Sequence, residues 1–297
     1  MQGSSGKKSQ GGLGPPLLAE DKSEATAYPN FPEKHGLTAY VNPEDAITYA
    51  RAHGELEGYR DLKGIILTYQ RSVLDHVFVS EHLDEGRVRR GFRMILTLPS
   101  TNHEIGVLGG FGFGAPMAAF LLENFIALGT TRFISIGTAG ALQPGCRAGD
   151  LVLCDGAIRD EGVSHHYLPS TKYAKPSNDL TSQFARELER AGLTFSTGTT
   201  WTIDTPYRES IDEARRYQKE GVLCVEMEAA ALFTVGTFRS VHVASAFAVS
   251  DLLDADQWQP HMKHEATSAG LNRLYDVALE TLRSHPAPKA STSPPDS

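Results

Sequence analysis

The chain has 297 residues, 40% of them hydrophobic and 22% charged, with a formal net charge of −8. This is the balance of an ordinary soluble globular chain, and the negative charge argues against a nucleic-acid partner, because phosphate backbones are bound by clustered cations. Cys146, Cys154 and Cys224 show neither an even count nor metal-ligand spacing, so no disulfide framework and no zinc site is expected and a reducing, cytoplasmic compartment fits. No apolar run approaches the roughly 18 residues of a membrane helix, and the opening MQGSSGKKSQGGLGPP lacks the apolar core of a signal peptide.

In chain order, residues 1–27 are rich in Gly, Ser, Lys and Pro and too poor in apolar groups to repay ordering. NPEDAITYARAHG (42–54) reads as a helix capped by Asn42, with Pro43 in its first turn and Gly54 at its end. GIILTY (64–69) is the first strand, followed by a short loop beginning QRSVLDH. EIGVLGG (104–110) is a second strand, and APMAAFLLENFIALG carries a helix from Pro116 to Gly129. RFISIGT (132–138), DLVLCD (150–155) and VHVASAFAV (241–249) are further strands, several apolar on both faces. In ATSAGLNRLYDVALETL, residues Leu271, Leu274, Tyr275, Ala278 and Leu282 fall at helical spacing, enough for one buried stripe. Residues 285–297 are again tail-like. Strands alternating with helical patterns, without repeat or linker, predict a single α/β domain over 28–284 around a mostly parallel sheet.

Four stretches could carry chemistry. GGFGFGAP (109–116) is a glycine-rich turn entering a helix, where backbone N–H groups can approach an anion or a sugar, although such turns also occur for steric reasons alone. SIGTAG (135–140) ends a strand at Thr138, a hydroxyl between small residues; a ligand contact and a tight turn both fit. VLCVEMEAAALF (222–233) sets Glu226 and Glu228 in apolar surroundings, where a carboxylate is costly without a partner. In AVSD (248–251), Asp251 suits either a cap or a general acid at a strand end. The adjacent His165 and His166 do not suggest a metal site.

Taken together, GTAGALQPG with AGDLVL, then VEMEAAALF, then SD after an apolar strand resemble the nucleoside phosphorylase superfamily over roughly residues 60–285. The resemblance implies a phosphorylase-like, three-layer α/β/α fold with a mixed, mostly parallel sheet. It implies phosphorolysis of a nucleoside, purine favoured, to free base and ribose 1-phosphate, with no cofactor and inorganic phosphate as co-substrate. By the same resemblance Asp251 protonates the leaving base, Glu228 and Met227 hold the ribose, and Thr138 contacts ribose or phosphate. Arg71 and Arg90, with Arg89 and Arg93 beside the latter, fall where phosphate is bound, and His35 where a histidine reaches the sugar. Glu226, Trp201 and Arg208 are candidates to contact the base, with Tyr207 beside them. The resemblance also implies a homo-oligomer, a dimer or a hexamer of dimers, with the active site at the subunit interface. Ser135 departs from the pattern, since many phosphorylases carry a phosphate-binding arginine there and the hydrolytic nucleosidase branch does not. Uridine phosphorolysis, hydrolysis by water and a nucleoside-binding sensor without turnover are the alternatives.

Overall fold

The structure is a computed structural model that describes residues 28–31, 34–84, 92–254 and 257–284. The two expected tails, together with Arg89 and Arg90, lie outside the described residues. In chain order the elements are α1 (Pro43–Ala52), β1 (Gly64–Thr68), α2 (Arg71–Ser80), β2 (Leu96–Thr97), β3 (Ile105–Leu108), α3 (Ala115–Ala127), β4 (Arg132–Ala141) and β5 (Leu151–Asp160). They continue with β6 (Tyr173–Ala174), α4 (Asn178–Arg190), β7 (Phe195–Ile203), α5 (Ile211–Lys219), β8 (Cys224–Glu226), α6 (Ala229–Arg239), β9 (His242–Asp254), β10 (Gln257–Pro260) and α7 (Glu265–Ser284).

The expected helices and strands follow from their sequences. Pro43 opens α1, and the Asp45 carboxylate accepts the Asn42 N–H at 2.9 Å, closing a capping box. Every residue of the α7 stripe is buried, and Leu271, Leu274, Tyr275, Ala278 and Leu282 share one core cluster. That cluster also takes side chains from α2 and α4, whereas α1, α3 and α6 contribute to a second cluster. The stretch after β1 corrects the expected loop: helix α2 begins at Arg71, and Val73, Leu74, Val77 and Phe78 form its buried face.

The strands form one mixed sheet. Parallel ladders join β1 to β3 and β4, β4 to β9, and β7 to β5 and β8. Antiparallel ladders are as numerous among the described residues, so the sheet is less parallel than its apolar runs suggest, although the two longest ladders, β4–β9 and β5–β7, are parallel. The sheet also returns on itself. Strand β9 pairs with β4, β4 with β8, β8 with β7, β7 with β5, and β5 again with β9. Five strands therefore close a ring, which the sequence reading does not foresee, while β1, β3 and β2 extend from β4 as an open wing. No helix among the described residues is long and apolar enough to cross a membrane.

Candidate active site

Strands β1, β3, β4 and β9 are parallel, so their carboxyl ends lie at one end of the sheet, where α/β strands present ligand-binding groups, and β8 runs antiparallel beside the end of β4. Gly140 on β4 stands between Val225 of β8 and Asp251 of β9 in the register. A Cβ at this glycine would lie 2.9 Å from Asp251 Oδ2 and 3.2 Å from Val225 Cγ1. The bare backbone is therefore what lets the Asp251 carboxyl cross the strand.

Glu226 and Glu228, two residues apart, have different surroundings. Glu226 accepts the Thr202 hydroxyl, the Glu228 N–H at 2.8 Å and the Ala229 N–H at 2.7 Å. Its carboxylate thus satisfies the N-terminal donors of α6, where the helix dipole also favours a negative charge. Glu228 reaches the other way, and its Oε1 accepts the N–H of Gly114, the glycine that ends the turn before α3 with φ of 104°. Burial raises the pKa of both carboxyls, and the charge of Glu226 raises that of Glu228 further. With three donors aimed at it, Glu226 holds the charge, so Glu228 is the member of the pair that carries a proton near neutrality.

Beneath Glu228, the Tyr69 side chain lies across Gly137, where a Cβ would meet Tyr69 Cδ2 at 3.1 Å. Its hydroxyl is 2.9 Å from Ser135 Oγ, and its ring meets Phe111 edge-on at 5.5 Å. Thr138 accepts a hydrogen bond from Gln70 Nε2 at 2.9 Å. Glu228 thus meets the glycine turn, Thr138 meets Gln70 of the neighbouring strand's exit, and Met227 is half-buried.

Asp251 opens into a cavity of about 750 Å³ that Tyr207, Glu209, Ile211, Leu253, Trp258 and Met262 help to line. Its Oδ1 accepts the Ser250 hydroxyl at 2.6 Å, and its Oδ2 accepts the Trp258 indole N–H at 2.9 Å from the β10 arm of the hairpin. Glu209 faces the same cavity. Burial, reinforced by the negative charges of Asp251 and Glu213, pushes its pKa up to about 7. Neither Glu209 nor Trp258 stood out in the sequence; the one available signal was their nearness to Tyr207 and to Asp251.

Several expected contacts are not brought to the site. Trp201 is fully buried, donates its indole N–H to Asp160 Oδ2 at 2.9 Å and packs on Tyr217, so its ring belongs to the core and not to a base. Glu226 has both oxygens committed, Oε2 to the Glu228 and Ala229 N–H groups and Oε1 to the Thr202 hydroxyl, which turns it away from a base. Arg208 is exposed on the loop before α5. Arg71 turns along α2 to Asp75 at 2.7 Å. Arg93 lies over the Phe92 and Phe120 rings. His35 bonds the His165 carbonyl at 2.9 Å, in a cluster where Tyr28 lies 2.8 Å from His166 Nε2 and Lys34 lies 2.7 Å from His166 Nδ1. Among the described residues no group of His, Cys, Asp and Glu is arranged to hold a metal ion.

Residues 77–283 match the family model of the phosphorylase superfamily. The chain belongs to that superfamily. It is 29% identical over 173 residues to a DeoD-type purine nucleoside phosphorylase of Bacillus cytotoxicus, an alignment covering 58% of this chain and 72% of that protein. A Bacillus cereus protein of the same description is 28% identical over the same length and the same shares. Among solved structures, uridine phosphorylase from Vibrio fischeri ES114 bound to 6-hydroxy-1-naphthoic acid superposes with a TM-score of 0.65 at 26% identity, covering 75% of this chain and 92% of that one. A second structure of that enzyme gives 0.61 at 25% identity, with the same coverage.

Proposed function

We propose that the protein is a nucleoside phosphorylase that splits the N-glycosidic bond of a nucleoside, a purine nucleoside by preference, with inorganic phosphate as second substrate and no further cofactor. The observation that carries this reading is the placement of Glu228 and Asp251 at the ends of β8 and β9, one facing the glycine turn and the other the large cavity, on strands that flank Gly140.

Breaking the C–N bond leaves positive charge on the sugar and negative charge on the base. Glu228 holds the ribose hydroxyls against the Gly114 turn, with Met227 and Thr138 completing the sugar contact. Fixing the sugar in this way is worth several kcal/mol of barrier, of the roughly 7–11 that full orientation can supply. Asp251 delivers a proton to the departing base, a step that contributes about 10²–10⁴-fold. Glu209, Tyr207 and Trp258 frame the base. A cavity of about 750 Å³ leaves room for a purine, and its carboxyls suit a base that presents N–H groups.

The two helix groups and their separate core clusters support a single three-layer domain over 28–284. Phe113 in the turn that holds Glu228 and Met117 and Phe120 on α3 are exposed beside one another in the chain. This apolar face supports a homo-oligomer whose interface adjoins the site, and Arg90 from a neighbouring subunit is our candidate for a phosphate contact. The reading fits a cytoplasmic enzyme. One observation favours hydrolysis as a second reading: Ser135 is bonded to Tyr69, a neutral partner at a position where the resemblance leads one to expect an arginine.

The test is incubation with inosine, adenosine, methylthioadenosine or uridine, each with and without phosphate, followed by identification of the sugar product. Ribose 1-phosphate formed only with phosphate, fastest from a purine nucleoside, is the expected result. Free ribose at equal rates in both buffers would replace phosphorolysis with hydrolysis, and no product from any substrate would leave a binding protein.

A further inference from the structure

Gln70 and Thr138 form a polar pair of which the reading above uses only one member. Gln70 Nε2 donates to Thr138 Oγ1 at 2.9 Å, so the threonine's own hydroxyl hydrogen remains available for another acceptor. The other end of the amide, Gln70 Oε1, is sealed from solvent and accepts no hydrogen bond. A buried acceptor in this state is unfavourable, and a ligand hydrogen would relieve it.

The surroundings limit what that ligand can be. Tyr69, which precedes Gln70 in the chain, is bonded to Ser135 and meets the Phe111 ring, and all three side chains are uncharged. The charges that reach Tyr69 are those of Glu228 and Glu226. Arg71, the next residue in the chain, turns to Asp75. A pair that offers one donor and requires one suits an oxyanion that still carries a proton.

We propose that Gln70 is a further phosphate-binding residue, whose Oε1 accepts the P–O–H hydrogen of hydrogen phosphate while the Thr138 hydroxyl donates to a neighbouring phosphate oxygen. The inference rests on the phosphorolysis reading. In the reaction an unprotonated phosphate oxygen forms the bond to C1′ as the C1′–N bond breaks. The electron pair of the broken bond leaves with the base, which takes its proton from Asp251. The P–O–H proton stays on the phosphate throughout, and its hydrogen bond to Gln70 fixes which oxygen faces the sugar. Phosphate and arsenate carry such a proton at neutral pH; sulfate, of similar size and shape, does not.

The experiment measures steady-state kinetics on whichever nucleoside turns over, varying phosphate with sulfate as competitor, for the wild type, Gln70→Met and Gln70→Leu. Ribose 1-phosphate from the wild type establishes the reaction independently of Gln70, and free ribose made without phosphate would sink the phosphorolysis reading and this inference together. Given phosphorolysis, wild-type KM for phosphate should lie at least about tenfold below the inhibition constant of sulfate, a comparison that needs no variant. Both substitutions should raise the phosphate KM about tenfold or more, with the sulfate constant moving less than about twofold and the nucleoside KM unchanged. An equal loss for both anions, an unchanged phosphate KM, or a wild type that binds sulfate as well as phosphate overturns the proposal.

Discussion

The two ends of the site are built in opposite ways. At the sugar end the groups are buried or half-buried and already bonded to the fold: Glu226 to the start of α6, Glu228 to Gly114, Tyr69 to Ser135 and Gln70 to Thr138. At the base end a single strand residue, Asp251, looks into an open cavity whose other walls come from the loop before α5 and from the hairpin of β9 and β10. On the reading proposed above, the sugar chemistry sits on strand ends, which can hold a group to a fraction of an ångström, while choice of base is left to segments that can change without disturbing the sheet.

The largest expected effect breaks the base end while sparing the sugar end. Asp251→Asn should lower kcat by about 10²–10⁴-fold with the fold intact, as read from initial rates beside a melting curve. A loss below about threefold would remove Asp251 as the proton donor. The converse experiment is Glu226→Leu, which strips the partner from a buried hydroxyl and two backbone N–H groups. We expect it to cost about 3 kcal/mol or more of stability in urea unfolding, because each buried donor left unpaired costs about 1–3 kcal/mol. If stability were unchanged, Glu226 would not be the cap described here.

A smaller change sharpens the contrast. Trp258→Phe removes the indole donor from Asp251 but keeps an aromatic wall. It should reduce kcat/KM for the nucleoside by about three- to tenfold and leave the phosphate KM alone, since a typical hydrogen bond is worth about 0.5–1.5 kcal/mol net. A matching change in phosphate KM would mean that the two ends are coupled.

The smallest effect is the pH dependence of stability. Glu228 and Glu209 have folded-state values raised from 4.5 to about 8 and about 7. The folded protein therefore binds more protons than the unfolded chain within that window, and stability contributed by these groups falls as pH rises from about 4.5 towards 8. Melting temperatures at pH 5, 6, 7 and 8 should decline through the series, and Glu228→Gln should flatten the decline. A slope identical to wild type would show that Glu228 is charged in the fold.

Much of this architecture was readable from sequence wherever a segment is apolar and long. The strands at 64–69, 104–110, 132–138 and 241–249 and the helices at 42–54 and 266–282 were all expected near their observed positions. Strand β7 escaped because FSTGTTWTI begins exposed and rich in threonine, and β8 because it has three residues. The order of motifs singles out Glu228 and Asp251 as candidates. It did not disclose that Glu226 caps a helix, that Trp201 is core or that Glu209 reaches the cavity, because each depends on which loop folds against which strand. Arg71 turns to Asp75 for a local reason: QRSVLDH reads as a loop, but Val73 and Leu74 within it belong to the buried face of α2.

The strand ring has one more implication. A sheet with two free edges can fray from either side, but β4, β8 and β9, which carry Thr138, Glu226 and Asp251, each have neighbours on both flanks. No strand of the circle can peel away without breaking two ladders at once. Amide hydrogens in these strands should therefore exchange with solvent only through global opening, whereas those of the β2–β3 wing exchange by local events. For a protease or a chaperone, these strands are the last part of the molecule to be reached.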